Sequence, residues 1–160
     1  FSGIKSKFPS WHLVYAGPDA GMLNNLRNKA QDDGLAERVH FLGYLGGRDK
    51  AAAYAAAGLL AIPSRQEAMS IVVLEAGVRK TPVLLTDQCG MNIVAKYGGK
   101  VVAATADGLE SGLEEMLSAA HDLKRRGEEL ANFVRTNYLW NTVVQGYIAE
   151  YDELLRKRAA

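Results

Sequence analysis

The stretch from Leu59 to Ala76, LLAIPSRQEAMSIVVLEA, restricts this chain more than any other. Leu59 to Ile62 is a short apolar run closed by Pro63, which suits a strand covered on both faces. Ser64 to Glu67 is a polar connection. Ser70 stands where its hydroxyl can take an orphan backbone N–H of a first helical turn. Ile71, Leu74 and Val78 then recur at spacings of three and four, the apolar face of a helix. Glu67 and Glu75 bracket the turn, with seven residues between them.

A strand, a polar loop and a helix in this order have a chemical consequence. The helix N-terminus offers free N–H groups and a partial positive charge, a site for an anion. In an open α/β sheet such loops lie at the carboxyl edge, where ligands bind. Glu67 is expected beside the anion and Glu75 about two helical turns below Glu67. A nucleotide-sugar, with its diphosphate flanked by hydroxyl-bearing groups, uses all three features.

The rest of the chain alternates in the same manner. A strand ends at Gly17, and helical spacing runs from Met22 to Ala30 and stops at Asp33 and Gly34. Val39–Gly43 is a second strand, and an alanine-rich helix opens at Arg48 and runs to Ala57. After the strand and helix of residues 59–78, Thr81 and Pro82 reset the chain into a strand over Val83–Thr86. A polar turn, a short helical piece over Asn92–Lys96 and a last strand at Val101–Ala103 follow. Three helices close the chain. Leu109, Leu113 and Leu117 mark the first, Leu123–Val134 the second with a break near Gly127, and residues 140–158 the third. This pattern predicts an α/β fold, a Rossmann-like and mostly parallel sheet with helices on both faces.

At 160 residues the chain is one domain by size, and a 48% hydrophobic content decides against disorder. A net charge of +1 gives no field that would recruit nucleic acid. A single cysteine, Cys89, excludes an internal disulfide and fits a reducing compartment, so a cytoplasmic location is expected. No apolar run reaches spanning length, and the N-terminus does not read as a signal peptide. The chain starts without Met, in what reads as the end of a helix, and is expected to be a piece of a longer protein.

With these motifs placed, the chain resembles the C-terminal, donor-binding domain of retaining GT-B glycosyltransferases, the group 1 or family 4 class, over residues 1–160. The resemblance rests on Leu13–Pro18, Val39–Gly43, Pro63 and Ser64 with Glu67 and Glu75 as paired glutamates, Thr81–Val83, Thr86 and Asp87 with Gly90, and the helix from Trp140. It implies transfer of a sugar from a nucleotide-sugar with retention of configuration, without a cofactor or a required metal. It places Glu67, the catalytic candidate, at the donor sugar, and Glu75 at the ribose. The backbone of Ser70, Ile71 and Val72 would face the diphosphate or sugar, and Gly43, Tyr44 and Leu45 would lie against the base. It also implies an N-terminal acceptor domain in the parent chain.

The departures are specific. Ala68, Met69 and Ser70 stand where the family has Gly-Phe-Gly or Gly-Phe-Ser, and Val78, Arg79 and Lys80 replace a patch of small residues. No segment matches the family's first strand or its Gly-Arg…Lys phosphate clamp. In a doubly wound sheet of order 3-2-1-4-5 that strand is central, and its lack leaves two unpaired edges facing a slot. The expectation is that the slot is filled, by a second copy of the chain or by the two edges closing on each other. Without the clamp and the acceptor domain, little turnover is expected from this chain alone.

Other residues have plainer readings. His12, His40 and His121 show no metal-like spacing and read as structural. Cys89 reads as a small neutral residue of a turn. Trp140 and the tyrosines of the last helix read as packing anchors. The basic runs at Lys124–Arg126 and Arg156–Arg158 read as solvated faces, with contact between the parent and an anionic membrane as the lesser reading. Two other functions stay open: a GT-B sugar-nucleotide epimerase, and a non-catalytic nucleotide-binding or scaffold module.

Overall fold

The computed structural model describes residues 1–159. Five short parallel strands alternate with helices: β1 (Leu13–Ala16), α1 (Leu23–Asp32), β2 (Val39–Gly43), α2 (Gly47–Ala56), β3 (Leu60–Ile62), α3 (Ile71–Gly77), β4 (Val83–Thr86) and β5 (Lys100–Val102), followed by α4 (Ala106–Ser118), α5 (Leu123–Asn137) and α6 (Trp140–Ala159). The piece over Asn92–Lys96 is a 3-10 turn. The α/β class and the helices on both faces agree with the sequence. Among the described residues no helix is long and apolar enough to cross a membrane.

β4 is the buried axis. Val83, Leu84, Leu85 and Thr86 are all buried because β3 and β5 pair with its two edges and helices cover its two faces. On one face Val83 and Leu85 pack with Val73 and Ala76 of α3 and with Leu130 and Val134 of α5. On the other, Leu84 packs with Met116 of α4 and with Leu123. Burial of such side chains contributes about 1.5–3 kcal/mol each. It holds the loops leaving β3 and β4 side by side.

The strands form two sheets, β1–β2 and β3–β4–β5, all pairs parallel. Leu13 N–H donates to Arg38 O and Leu60 N–H to Pro82 O. Alternation along a parallel strand then turns the peptide groups of Val14, Ala16 and Ala61 away from their partner strands. The three residues are exposed. The two edges do not pair with each other, so of the two expected ways to fill the slot this one is not seen. Near their amino ends Trp11 lies over Gly58, where a Cβ would meet its ring at 2.8 Å, and both Trp11 and Leu59 pack against the Leu84, Met116 and Leu123 cluster.

Three further expectations need correction, because burial is decided by tertiary neighbours rather than by the local sequence pattern. β3 is not covered on both faces, since Ala61 is exposed while Ile62 is buried. α5 runs unbroken through Gly127, where the missing side chain admits the Lys80 carbonyl; a Cβ there would lie 1.9 Å from that oxygen. The aromatics of α6 are not packing anchors. Trp140 is 76% exposed, Tyr147 60% and Tyr151 62%, because the helix extends beyond its contact with α5.

Candidate functional site

The loop between β3 and α3 is held against the turn that follows β4. Thr86 Oγ1 donates to Ser64 O, Glu67 N–H to Gln88 O at 2.9 Å, and Ser70 N–H to Cys89 O at 3.1 Å. The fit is close at Gly90, whose φ of +65° only glycine adopts freely, and where a Cβ would lie 1.9 Å from Ala68 O. Cys89 braces the same junction from inside. It is fully buried, with Sγ 3.6 Å from Ile62 O and 3.3 Å from Thr86 Oγ1.

Ser70 occupies the N-cap position of α3, with φ −81° and ψ 95°, but its hydroxyl makes no capping bond. The expected cap is therefore only half realised: the backbone has the cap conformation and the side chain points elsewhere. Ser70 is 0% exposed, and its Oγ has no hydrogen-bond partner among the described residues; the same is true of Glu67 Oε2. A buried polar atom left unpaired costs about 1–3 kcal/mol, so two of them in one loop mark a place adapted to something other than stability. The Ser70 amide is taken by Cys89, whereas Ile71 N–H and Val72 N–H find no acceptor among the described residues. Of the three amides expected to face an anion, these two are free to do so.

Glu75, one helical turn into α3, faces α2. Its Oε2 accepts from Lys50 Nζ at 2.6 Å and from Tyr54 OH at 3.0 Å. Lys50 Nζ also lies 5.9 Å from the centre of the Tyr54 ring, and Thr81 Oγ1 donates to Tyr54 O at 2.5 Å, fixing α2 to the end of α3. Burial, and then the hydrogen bond to Glu75, push the Tyr54 phenol well above its usual range, so it stays a donor. These groups line a cleft of about 200 Å³ together with Gly47, Val78 and Arg79; Glu67 lies outside it. Lys50 and Tyr54 were not singled out from sequence. Their four-residue spacing on α2 was visible, but not which face α2 turns to α3.

Gly43 lies apart, at the ends of β1 and β2. A register shift between Tyr15 and Ala16 pairs Ala16 with Gly43, and Gly17 N–H donates to Gly43 O at 2.8 Å. Gly43 borders a cavity of about 440 Å³ under α1, walled by Tyr15 and Phe41, whose rings stack at 5.3 Å, and by Arg27. Tyr44 is 77% exposed and Leu45 half-buried. The approach to the α1 N-terminus is closed by the preceding loop, since Asp19 Oδ1 accepts from the amides of Gly21, Met22 and Leu23. The Leu23 amide above all holds the Asp19 carboxyl below its usual range. His12 and His40 also meet, with Nδ1 of the first 2.8 Å from Nε2 of the second, on an exposed face. Among the described residues no three His, Cys, Asp or Glu side chains gather as metal ligands.

The structure thus brings Glu67, Ser70, Ile71 and Val72 together on one pinned loop, sets Glu75 one turn further at the α2–α3 cleft, and leaves Gly43 on the other sheet. The sequence profile of the glycosyl transferases group 1 matches residues 1–135. D-inositol 3-phosphate glycosyltransferase of Gordonia bronchialis is 29% identical over 161 aligned residues, covering 97% of this chain and 35% of the relative. Sucrose-phosphate synthase of Thermosynechococcus elongatus superposes with a TM-score of 0.81 at 21% identity, covering 98% of this chain and 41% of that one. Anabaena Alr3699/HepE, solved in complex with UDP-glucose, superposes with a TM-score of 0.76 at 18% identity, covering 91% of this chain and 42% of that one. The chain spans about a third of the length of the inositol phosphate enzyme.

Proposed function

This chain belongs to the glycosyl transferases group 1, and from that premise we propose that it is the nucleotide-sugar-binding part of a retaining glycosyltransferase. The observation that carries the reading is the pinned loop after β3, where Glu67 Oε2 and Ser70 Oγ are buried without partners beside the free amides of Ile71 and Val72. The amides receive the diphosphate, whose negative charge grows as it leaves; donors already aimed at that charge lower the barrier without reorganising. Glu67 takes hydroxyls of the transferred sugar and stabilises positive charge on its ring. Ser70 Oγ supplies a further polar contact inside the same loop. Glu75 accepts from the ribose in the α2–α3 cleft, and Gly43, Tyr44 and Leu45 stand on the base side. No metal is assigned a role. The binding of UDP-glucose by HepE supports this class of donor.

An acceptor domain in the parent chain belongs to the same proposal. Proton NMR of the product formed from an α-linked nucleotide-sugar is the test. An α-linked product is expected. A β-linked product would overturn retention, and release of an epimerised free sugar would assign the epimerase reading instead.

A further inference from the structure

Glu75 is the ribose acceptor in the function proposed above, and the inference below rests on that reading. Its carboxylate is asymmetric. Oε2 takes both Lys50 Nζ, at 2.6 Å, and Tyr54 OH, at 3.0 Å, while Oε1 has no hydrogen-bond partner among the described residues. A free carboxylate turns easily about its last bond, because that torsion is broad, and offers either oxygen to water. Two donors on one oxygen remove that freedom before any ligand arrives.

The pair is a poor stabiliser. The Lys50 and Glu75 side chains are 38% and 37% exposed, the regime in which ion pairs contribute little to folding. Its geometric effect is larger than its effect on stability. Tyr54 is the fixed half of the arrangement: its ring packs on the main core, and its carbonyl is held by Thr81. Lys50 is the charged half, one helical turn away on α2 and lying over that ring. Lys50, Tyr54 and Glu75 together line the cleft of about 200 Å³ that the ribose takes in the proposed function.

We infer that Lys50 and Tyr54 are positioning residues which clamp Oε2 of Glu75, so that Oε1 is presented to the ribose hydroxyls and selects ribonucleotides over deoxyribonucleotides. Lys50 acts through Glu75. Preorganisation of this kind improves binding of the group that uses the aligned oxygen and leaves the rest of the ligand indifferent.

The experiment is calorimetric titration of the full-length protein with UDP and 2′-deoxy-UDP, with the adenosine and guanosine pairs run alongside. The protein is expected to prefer the ribose form of the base it accepts by about tenfold, the effect of one hydrogen bond to a charged acceptor. Lys50→Met is expected to cut that preference to about threefold or less, with affinity for the deoxy form held within about twofold. Lys50→Arg, which restores a donor on Oε2, is expected to recover most of it, and Tyr54→Phe to behave like Lys50→Met. Equal weakening of both forms by Lys50→Met means a structural role and overturns the inference, as does an unchanged preference. If the unmutated protein binds a nucleotide but ignores the 2′-hydroxyl, or binds none, the assignment of Glu75 to ribose falls first and takes the positioning role with it.

Discussion

Ser70 combines a capping backbone with a hydroxyl that caps nothing. The sequence made the position legible, because serine before an apolar helical run is a start signal. It did not reveal that Cys89 takes the Ser70 amide, or that the hydroxyl is buried without a partner. If the hydroxyl serves a ligand, its removal relieves an unpaired buried group and weakens binding. Ser70→Ala is therefore expected to leave stability unchanged or raise it by up to about 1 kcal/mol in chemical denaturation, while lowering affinity for a nucleotide-sugar. A stability loss above about 1 kcal/mol would show that the hydroxyl is bonded within the fold. Asp19 is a residue of the opposite kind, a cap that sequence reading passed over. Its folded pKa lies below the ordinary 3.8, the Leu23 amide being the main cause. Its contribution to stability is thus complete above that value and is lost as pH falls through the depressed one. Melting temperature measured from pH 6 downward is expected to drop more steeply in the unmutated chain than in Asp19→Asn, which keeps an acceptor without the titration.

Whole elements were legible where one pattern sufficed. β2 and β4 match their predicted limits, Val39–Gly43 and Val83–Thr86, because each is an apolar run bounded by turn residues. Where elements meet, sequence pattern alone fails. Gly127 reads as a helix break by its low propensity, yet it lies inside α5, where only hydrogen fits against Lys80 O. Lys80 itself has φ +63°, so that carbonyl is held in place by an unusual backbone. Gly127→Ala raises helix propensity by about 1 kcal/mol and is nevertheless expected to destabilise the fold by about 2 kcal/mol net, within the range for overpacked sites. Urea denaturation checks this; a stabilised variant would mean that α5 docks more loosely than described. The Lys50–Glu75 pair was hidden for the same reason, since the phase of α2 against α3 is a tertiary fact.

At the scale of the molecule, β1 and β3 are each paired on one edge only among the described residues, with the peptide groups of Val14, Ala16 and Ala61 turned away from the paired strand. Such edges are liabilities that proteins cover. The slot is expected to be filled in the full-length protein, and hydrogen exchange at these three amides should then be slowed by about a hundredfold or more relative to an open edge. Exchange at open-edge rates in the full-length protein would contradict that. The pinned loop is proposed to bring a carboxylate and two free amides to the phosphates and sugar of a donor. Amide spectra of the ¹⁵N-labelled full-length protein, titrated with UDP-glucose and its ADP and GDP counterparts, test it most directly. Saturable shifts are expected at Ile71 and Val72 with at least one of these donors, and their loss in Glu67→Ala or Glu75→Ala. Resonances of Ile71 and Val72 that stay still while shifts gather elsewhere, such as along the acidic cleft of α4 at Asp107–Glu115, would contradict it.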